Sequence, residues 1–434
     1  MFNKFNRFYE KLTPATRKII TNTTWLYFDR IFGKGLALII SILVARYLGP
    51  TKLGSLSFAL AIASLVGIVA KLGLDQLIVR DIVKEPENKD EILGTTFILK
   101  VFGGFISLFL TVGVVFLLRP QDRLTLWLAG IIAGGSIFLA FDVIEFWFES
   151  QVESKYTVIA KRGAYILTSL ITILLVQFEA SLLPFAGIRT LEAILIGVGL
   201  VSMFQTRHSL KAWRWNFKRG IALLKESWPL IFTSLAITIY MRVDTIMLWE
   251  ITGDDSVGVY SAAVKISEAW YFIATSLVAS VFPSIVKAKE VNEKLYYKKL
   301  QQLFNLMALI GYVIAIPMTF FSTPLVLLLY GPNYLDSGNI LAVHIWAALF
   351  AFMGVVQIPW NITEGLTKLY LARTLVGMLS NVVLNIFLIP LYQGLGAAIA
   401  TVISYAVSGF FANLFDPRTR KIFKLQAKSL IFLK

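Results

Sequence analysis

The sequence of 434 residues contains no cysteine and only two histidines, His208 and His344. The absence of cysteine excludes a disulfide framework, a thiolate metal site and a cysteine nucleophile. Two histidines are too few for a multi-histidine metal centre. Motifs for a Ser-His-Asp triad, a phosphate-binding loop or a dinucleotide-binding fold are also absent. The sequence therefore predicts neither an enzyme nor a protein that holds a metal ion or an organic cofactor.

Charged residues are scarce as well, at 15% of the chain, whereas 57% of the residues are hydrophobic and the mean hydropathy is +0.72. A soluble domain of this size does not need so much apolar surface, so the composition predicts an all-α polytopic membrane protein. Each run of roughly 20 apolar residues can span the bilayer as a helix. About twelve such runs are present, at 23–46, 53–71, 92–118, 125–148, 157–177, 183–204, 228–250, 261–286, 301–322, 338–359, 369–390 and 394–416.

The formal net charge is +15, and in a membrane protein such an excess marks cytoplasmic loops rather than nucleic-acid binding. If the N-terminus is cytoplasmic, most lysines and arginines fall in inner segments, including 205–227 and 417–434. This asymmetry predicts a multi-pass protein of the cytoplasmic membrane with both termini in the cytoplasm. Because isoleucine and phenylalanine are interspersed in the basic C-terminal tail, we expect that tail to lie on anionic membrane lipids.

The longest hydrophilic connection in the middle of the chain divides the predicted helices into two groups of six. We expect a cytoplasmic tail at 1–22, a first lobe at 23–204, a basic cytoplasmic linker at 205–227, a second lobe at 228–416 and a second tail at 417–434. Six is an even number, so both lobes enter the membrane in the same sense. The sequence thus predicts a parallel pseudo-repeat of two six-helix lobes around a central cavity.

A short pattern of small residues recurs in the two halves of the chain with the same internal spacing. Gly49, Gly54, Ser57 and Ala59 correspond to Gly253, Gly258, Ser261 and Ala263. Since both copies fall at the same place in their lobes, we expect the first two helices to superpose on the seventh and eighth. The axis of that rotation should lie along the membrane normal.

Ten of the charged residues in the predicted spans form the set that we assign to the membrane core, where an ionised group costs at least about 3 kcal/mol unless it has a partner, a wet cavity or a function. The cations are Arg30, Lys34, Lys100, Arg242 and Lys265. The acids are Asp29, Asp142, Glu145, Asp244 and Glu268. We interpret the cations as a path for an anionic head group and the acids as groups that either couple transport to an ion or pair with the cations.

Pairing alone is the alternative interpretation, because the two sets are equal in number. Arg30 with Asp142, and Lys265 with Glu268 on one helix, are candidate pairs. Arg242 is the strongest candidate for substrate binding. Asp244, two positions along the helix, projects from a different face and cannot be its simple intrahelical partner.

Several longer motifs resemble the polysaccharide transporter family of the multidrug/oligosaccharidyl-lipid/polysaccharide exporter superfamily. They are W-L-Y-F-D-R at 25–30, A-R-Y-L-G-P at 45–50, G-L-D at 73–75 with R-D at 80–81, Y-M-R-V-D-T-I-M at 240–247, G-V-Y-S-A-A at 258–263 and F-P at 282–283. The likeness is strongest in 23–85 and 226–290 and covers most of the chain.

The resemblance implies a flippase that carries an undecaprenyl-diphosphate-linked oligosaccharide, such as a polysaccharide or O-antigen repeat unit, across the cytoplasmic membrane by alternating access. It implies a basic central cavity, with the lipid-linked glycan and membrane lipids as partners, and no nucleic acid. A proton or sodium gradient and polysaccharide assembly proteins are further partners that it suggests.

Three alternative functions are less well supported by the sequence. A drug/cation antiporter of the same superfamily should have a net acidic cavity, whereas the buried charges here balance. A lipid II flippase should have more helices than the sequence shows. A membrane-embedded polysaccharide polymerase or ligase usually needs a sizeable outer loop, and the predicted outer loops are short.

Overall fold

The structure is a computed structural model that describes the backbone of residues 14–431 and the side chains of residues 33–431. Over this range every regular element is a helix, which confirms the predicted all-α class. An α-helix satisfies its backbone hydrogen bonds internally, as any segment in contact with lipid must.

The α-helices are numbered here in chain order. The first eight are α1 (Pro14–Val66), α2 (Ile68–Lys71), α3 (Asp75–Lys84), α4 (Lys89–Leu118), α5 (Arg123–Phe138), α6 (Asp142–Ser150), α7 (Lys155–Gln177) and α8 (Leu182–Gln205). The others are α9 (Phe217–Thr252), α10 (Asp254–Glu268), α11 (Tyr271–Val291), α12 (Glu293–Tyr330), α13 (Leu335–His344), α14 (Ala347–Thr363), α15 (Thr367–Ala406), α16 (Ala412–Phe415) and α17 (Arg420–Leu430). One π-helical turn, Val407–Phe411, joins α15 to α16.

Nine helical segments within the described range are long and apolar enough to cross a membrane. A tenth span forms if Pro332–His344 and Ala347–Thr363, which are bent by 46° at their junction, are taken together. Two of the nine are too long for one crossing, since Gly33–Lys84 has 52 residues and Thr367–Phe415 has 49, whereas about 20 residues cross the hydrocarbon core.

Each of these two long segments is broken by a residue with non-helical dihedral angles. Gly49 has φ 72° and ψ 171°, and Gln393 has φ 49° and ψ −128°. Dividing both segments at these residues raises the ten spans to twelve, the number expected from the sequence. Two predicted connections are partly helical, because α1 already begins at Pro14 and α9 at Phe217.

The chain forms two compact units. The first comprises the described residues up to Ala37 together with Ile62–Ser234, and the second comprises Leu38–Ala61 together with the described residues from Leu235 onward. The lobes at 23–204 and 228–416 stay a prediction. Segment 38–61, expected in the first lobe, groups with the second unit.

The first unit has an aliphatic and aromatic core between α3, α4, α6 and α8. Its fully buried members include Leu74, Ile78, Ile92, Val143 and Ile144. The basic linker packs on this unit. Arg219 forms ion pairs with Glu85 (2.8 Å) and Glu91 (2.7 Å), which fix the start of α9 against the start of α4.

The second unit has the larger core, built mainly by α10, α12 and α14. Its fully buried members include Val257, Ala263, Phe304, Met307 and Phe352. Helix α17 also packs on this unit, because Gln301 of α12 donates to the Ser429 hydroxyl (2.7 Å) and to the Leu425 carbonyl oxygen (3.0 Å).

Candidate functional site

Lys100 on α4 is a fully buried cation that two carboxylates neutralise. Its Nζ lies 3.6 Å from Asp142 Oδ2 and 4.0 Å from Asp75 Oδ1. It also lies 4.8 Å from the centre of the Phe146 ring, and it makes no hydrogen bond. The distances are those of ion pairs without direct hydrogen bonds. Because both partners belong to the same unit, Lys100 carries no free charge for a ligand.

The predicted acid Glu145 on α6 also has an ionic partner. Glu145 accepts a hydrogen bond from Lys161 of α7 at 2.7 Å. The alternative partner for Asp142, Arg30, and the neighbouring Asp29 have side chains outside the described residues. Within the part of the first unit that is described, the buried charges therefore compensate one another, as the pairing hypothesis requires.

The second unit contains a buried carboxylate without a cationic partner. Asp244 on α9 is 5% exposed, and none of the described lysines and arginines lies within ion-pair distance of it. Its Oδ2 accepts hydrogen bonds from Tyr260 Oη (3.0 Å) and Thr401 Oγ1 (2.7 Å). Its Oδ1 accepts one from Asn385 Nδ2 (2.6 Å). Among the described side chains, only neutral donors therefore contact this carboxylate.

Further oxygen atoms line this cage. The Asn385 Oδ1 atom is buried without a hydrogen-bond partner. Asn385 Nδ2 also donates to Asn381 Oδ1 at 3.1 Å, and the Ala397 carbonyl oxygen, 2.9 Å from Thr401 Oγ1, is a second acceptor for the single hydroxyl hydrogen of Thr401. An oxygen-rich cage around one carboxylate has the chemistry that binds a proton or a hard monovalent cation.

Arg242 lies two residues from Asp244 and is half-buried. It forms neither a hydrogen bond nor an ion pair with any described side chain. It lies ten residues, roughly 15 Å, before the end of α9 at Thr252, about half the thickness of a hydrocarbon core. Among the described residues, no acid competes with an external anion for this guanidinium. Lys34 in the first unit and Lys265 in the second are exposed, and Glu268 is half-buried.

The repeated glycines form a contact within the second unit, which we call the glycine contact (Gly49–Gly54 with Gly253–Gly258). A Cβ atom on Gly54 would overlap the Asp254 carbonyl oxygen, and one on Gly258 would overlap the Pro50 carbonyl oxygen. Any larger residue in place of Gly54 or Gly258 would therefore clash with the backbone of the residue that begins the opposite helix. Gly49 and Gly253 have φ of 72° and 86°, a region that favours glycine.

Side chains around the glycine contact reinforce it. Thr51 Oγ1 donates to Asp255 Oδ1 at 3.2 Å, and the Phe58 and Trp249 rings lie 4.5 Å apart. Tyr334 Oη donates to the Ala45 carbonyl oxygen at 2.6 Å. These contacts explain why segment 38–61 groups with the second unit.

Sequence reasoning identified Asp244 and both glycine pairs but not the polar residues that surround Asp244. Asn381 and Asn385 are four residues apart on a hydrophobic helix and therefore share one face. Thr401 follows on the neighbouring part of the same segment. This pair of asparagines could have indicated a polar site from the sequence alone, because neutral amides inside an apolar run need hydrogen-bond partners.

Comparison with known proteins gives two family matches and several relatives. The family model described as "Polysaccharide biosynthesis protein" matches residues 19–289, and the one described as "MatE" matches residues 229–387. The capsular polysaccharide biosynthesis protein CapF of Staphylococcus aureus is 21% identical over 398 residues, which cover 90% of this chain and 97% of CapF. A putative O-antigen transporter of Shigella flexneri is 24% identical over 414 residues, covering 88% and 94% of the two chains.

A similar fold occurs among solved structures. The lipid II flippase MurJ in an inward closed conformation superposes with a TM-score of 0.72 and is 17% identical. The match covers 95% of this chain and 91% of that one. This likeness shows that the two chains share a fold.

Proposed function

Because the chain belongs to the polysaccharide biosynthesis protein family, whose model matches residues 19–289, we propose that it is a flippase for lipid-linked glycans. Its substrate is an undecaprenyl-diphosphate-linked oligosaccharide, which moves from the inner to the outer leaflet of the cytoplasmic membrane without covalent chemistry. The names of CapF and of the O-antigen transporter support this substrate class.

The guanidinium of Arg242, which has no partner among the described side chains, is the observation that carries the proposal. A diphosphate cannot enter hydrocarbon without replacing the water that solvates its charge. Arginine stays protonated and can donate two parallel hydrogen bonds to one phosphate. Arg242 is therefore the main diphosphate ligand, with Arg30, Lys34 and Lys265 along the same path. Lys100, which Asp75 and Asp142 neutralise, serves to stabilise the first unit.

Asp244 is the group that couples transport to an ion gradient. A buried carboxylate without a counter-ion is costly, and binding a proton or a sodium ion removes that cost. The neutral donors around Asp244 do not supply the missing positive charge. Its state of occupancy therefore changes with the ion gradient across the membrane.

The glycine contact closes the outer side of the transport path. With the N-terminus in the cytoplasm, Gly49 and Gly253 lie at the outer ends of their helices. Alternating access then requires the two helix starts at Pro50 and Asp254 to separate when the substrate leaves. Two small residues permit the close approach, and few hydrogen bonds oppose its opening.

The test is deletion of the gene followed by mass spectrometry of the membrane lipids. We expect the cell to lose surface glycan and to accumulate a lipid-linked oligosaccharide that remains on the cytoplasmic side. A drug/cation antiporter is the second candidate, favoured by the MatE match at 229–387 and by the buried acid Asp244. Unchanged glycan together with increased sensitivity to cationic drugs would select that function instead.

A further inference from the structure

The charged groups around Lys100 in the first unit lie close together without forming hydrogen bonds to one another. Lys100 Nζ is fully buried and makes no hydrogen bond, although it lies 3.6 Å from Asp142 Oδ2 and 4.0 Å from Asp75 Oδ1. The side chains of Asp75 and Asp142 likewise accept no hydrogen bond from any residue that the structure describes. An ammonium has three hydrogens to donate, and a carboxylate can accept several. Three groups with unused hydrogen-bonding capacity therefore converge on one point.

The spacing of these groups leaves room for an oxygen atom between the lysine and each acid. An atom about 2.8 Å from both partners fits between groups that are 3.6 or 4.0 Å apart. That atom must accept a hydrogen bond from the ammonium and donate one to the carboxylate, because lysine only donates and an ionised carboxylate only accepts. A hydroxyl group meets both requirements.

Further charged side chains of the first unit surround this point. We call the whole set the acidic cluster, and its members are Asp75, Lys100, Asp142, Glu145, Glu149 and Lys161. Glu145 forms an ion pair with Lys161 at 2.7 Å and interacts electrostatically with Asp142. Glu149 interacts in the same way with Asp75 and Lys161. Four carboxylates and two ammonium groups leave two negative charges, which disfavour an anion, while the buried charge of Lys100 disfavours a cation. A neutral ligand is therefore favoured.

The acidic cluster is accessible to water although it lies within membrane-spanning segments. The side chains of Asp75 and Asp142 are 53% and 23% exposed, and Glu149 is exposed. All three belong to segments that are apolar enough to cross a membrane, where ionised groups face a water-filled space rather than lipid. Lys100 lies eleven residues, roughly 17 Å, after the start of α4 at Lys89. A ligand of this cluster must therefore be one that enters the membrane-spanning part of the protein.

We propose that Asp75, Lys100 and Asp142 form a subsite for the hydroxyl groups of a sugar in the transported glycan. One hydroxyl bridges Lys100 and Asp142, and a second bridges Lys100 and Asp75. Neutralisation of Lys100 excludes an anion but leaves its hydrogens available to a neutral hydroxyl. The subsite rests on the proposed function, since it assigns the sugar part of the substrate to the first unit and leaves the diphosphate to Arg242.

The test measures the binding of two probes to the full-length protein in detergent micelles by native mass spectrometry. The first probe is the cell's own undecaprenyl-diphosphate-linked oligosaccharide, extracted from its membranes, and the second is undecaprenyl diphosphate without sugar. We expect Asp75→Asn to raise the Kd of the first probe about tenfold, because a hydrogen bond to a charged group is lost. The Kd of the second probe should not change. Since half of the Asp75 side chain is exposed, the substitution should leave the melting temperature unchanged.

Two further variants separate the two parts of the substrate. Arg242→Ala should raise the Kd of both probes, because both contain the diphosphate. Glu87→Gln removes the same charge as Asp75→Asn from an exposed position of the same unit, and it should change neither Kd. The expected pattern therefore distinguishes recognition of the sugar from recognition of the diphosphate and from a general effect of charge.

Three results would overturn the subsite. An unchanged Kd of the first probe in Asp75→Asn would show that the acidic cluster holds only water. An equal rise for both probes in that variant would show that the cluster does not recognise the sugar. An equal rise for the first probe in Glu87→Gln would indicate a general effect of acidic charge. Failure of the wild type to bind either probe would instead refute the proposed function, and the subsite with it.

Discussion

Replacing Arg242 by alanine tests the proposed substrate contact most directly. Arg242 has no ionic partner among the described residues, so its removal leaves no described carboxylate without a partner and should leave the folded protein stable. The energy lost in Arg242→Ala should therefore be that of the hydrogen bonds between the guanidinium and the diphosphate. A hydrogen bond to a charged group contributes about 1.5–3 kcal/mol, so two parallel bonds contribute about 3–6 kcal/mol.

This energy converts into a large change in transport. Since about 1.4 kcal/mol corresponds to a tenfold change, Arg242→Ala should weaken diphosphate binding by a factor on the order of 100 to 10,000. The cell should lose surface glycan and accumulate the lipid-linked intermediate. Arg242→Lys keeps a point charge without the two-bond geometry, and it should restore transport only in part.

The assay compares surface glycan and lipid-linked intermediate at equal amounts of flippase in the membrane. Arg189→Ala is the matched control, because Arg189 is exposed and lies 3.4 Å from Glu192. We expect that variant to transport normally. Normal export by Arg242→Ala at wild-type abundance would refute the assignment of Arg242.

Three further predictions follow from the same contacts. Asp244→Asn should abolish the dependence of transport on the ion gradient, measured as flipping in vesicles with and without an imposed proton or sodium gradient; a dependence like that of the wild type would refute the coupling role. Thr51→Cys combined with Asp255→Cys, whose native side chains lie 3.2 Å apart, should form a disulfide that stops transport until a reductant is added. Each single variant is the control, and transport by the oxidised double variant would show that the glycine contact does not open. Asp142→Asn leaves the fully buried Lys100 cation with only the partly exposed Asp75 as an ionic partner, so it should lower the free energy of unfolding by about 3 kcal/mol, seen as a lower melting temperature. Adding Lys100→Met removes that buried charge and should recover part of this loss, and an unchanged Asp142→Asn protein would contradict the ion pairing.

Hydropathy predicted the class and the number of spans because both depend on properties of local sequence. The lengths of apolar runs gave the twelve segments, including those that the structure joins across Gly49 and Gln393. The role of Lys100 could not be predicted in this way. Its depth suggested a substrate contact, but its neutralisation depends on Asp75 and Asp142, which come from two other helices.

The glycine repeat shows a different limit of sequence reasoning. Equal spacing of Gly49 and Gly54 with Gly253 and Gly258 predicted equivalent helices. The structure shows that the two copies touch each other: a Cβ atom on Gly54 would overlap the Asp254 carbonyl oxygen, and one on Gly258 would overlap the Pro50 carbonyl oxygen. Spacing alone could not distinguish two similar elements from two elements in contact.

The equal numbers of buried cations and acids suggested general pairing, but the described charges are distributed unevenly. In the first unit Lys100 and Glu145 each have an ionic partner. In the second unit Arg242 and Asp244 have none, although only one residue separates them on α9. Selection for stability alone would favour an ionic partner for each of these two residues, since an uncompensated charge is costly in a membrane. An arginine open to an anion and a carboxylate open to a cation on one helix are instead what the proposed ion-coupled transport of a diphosphate requires. Charge arriving at Asp244 changes the electrostatic potential at Arg242, and with it the affinity for the substrate.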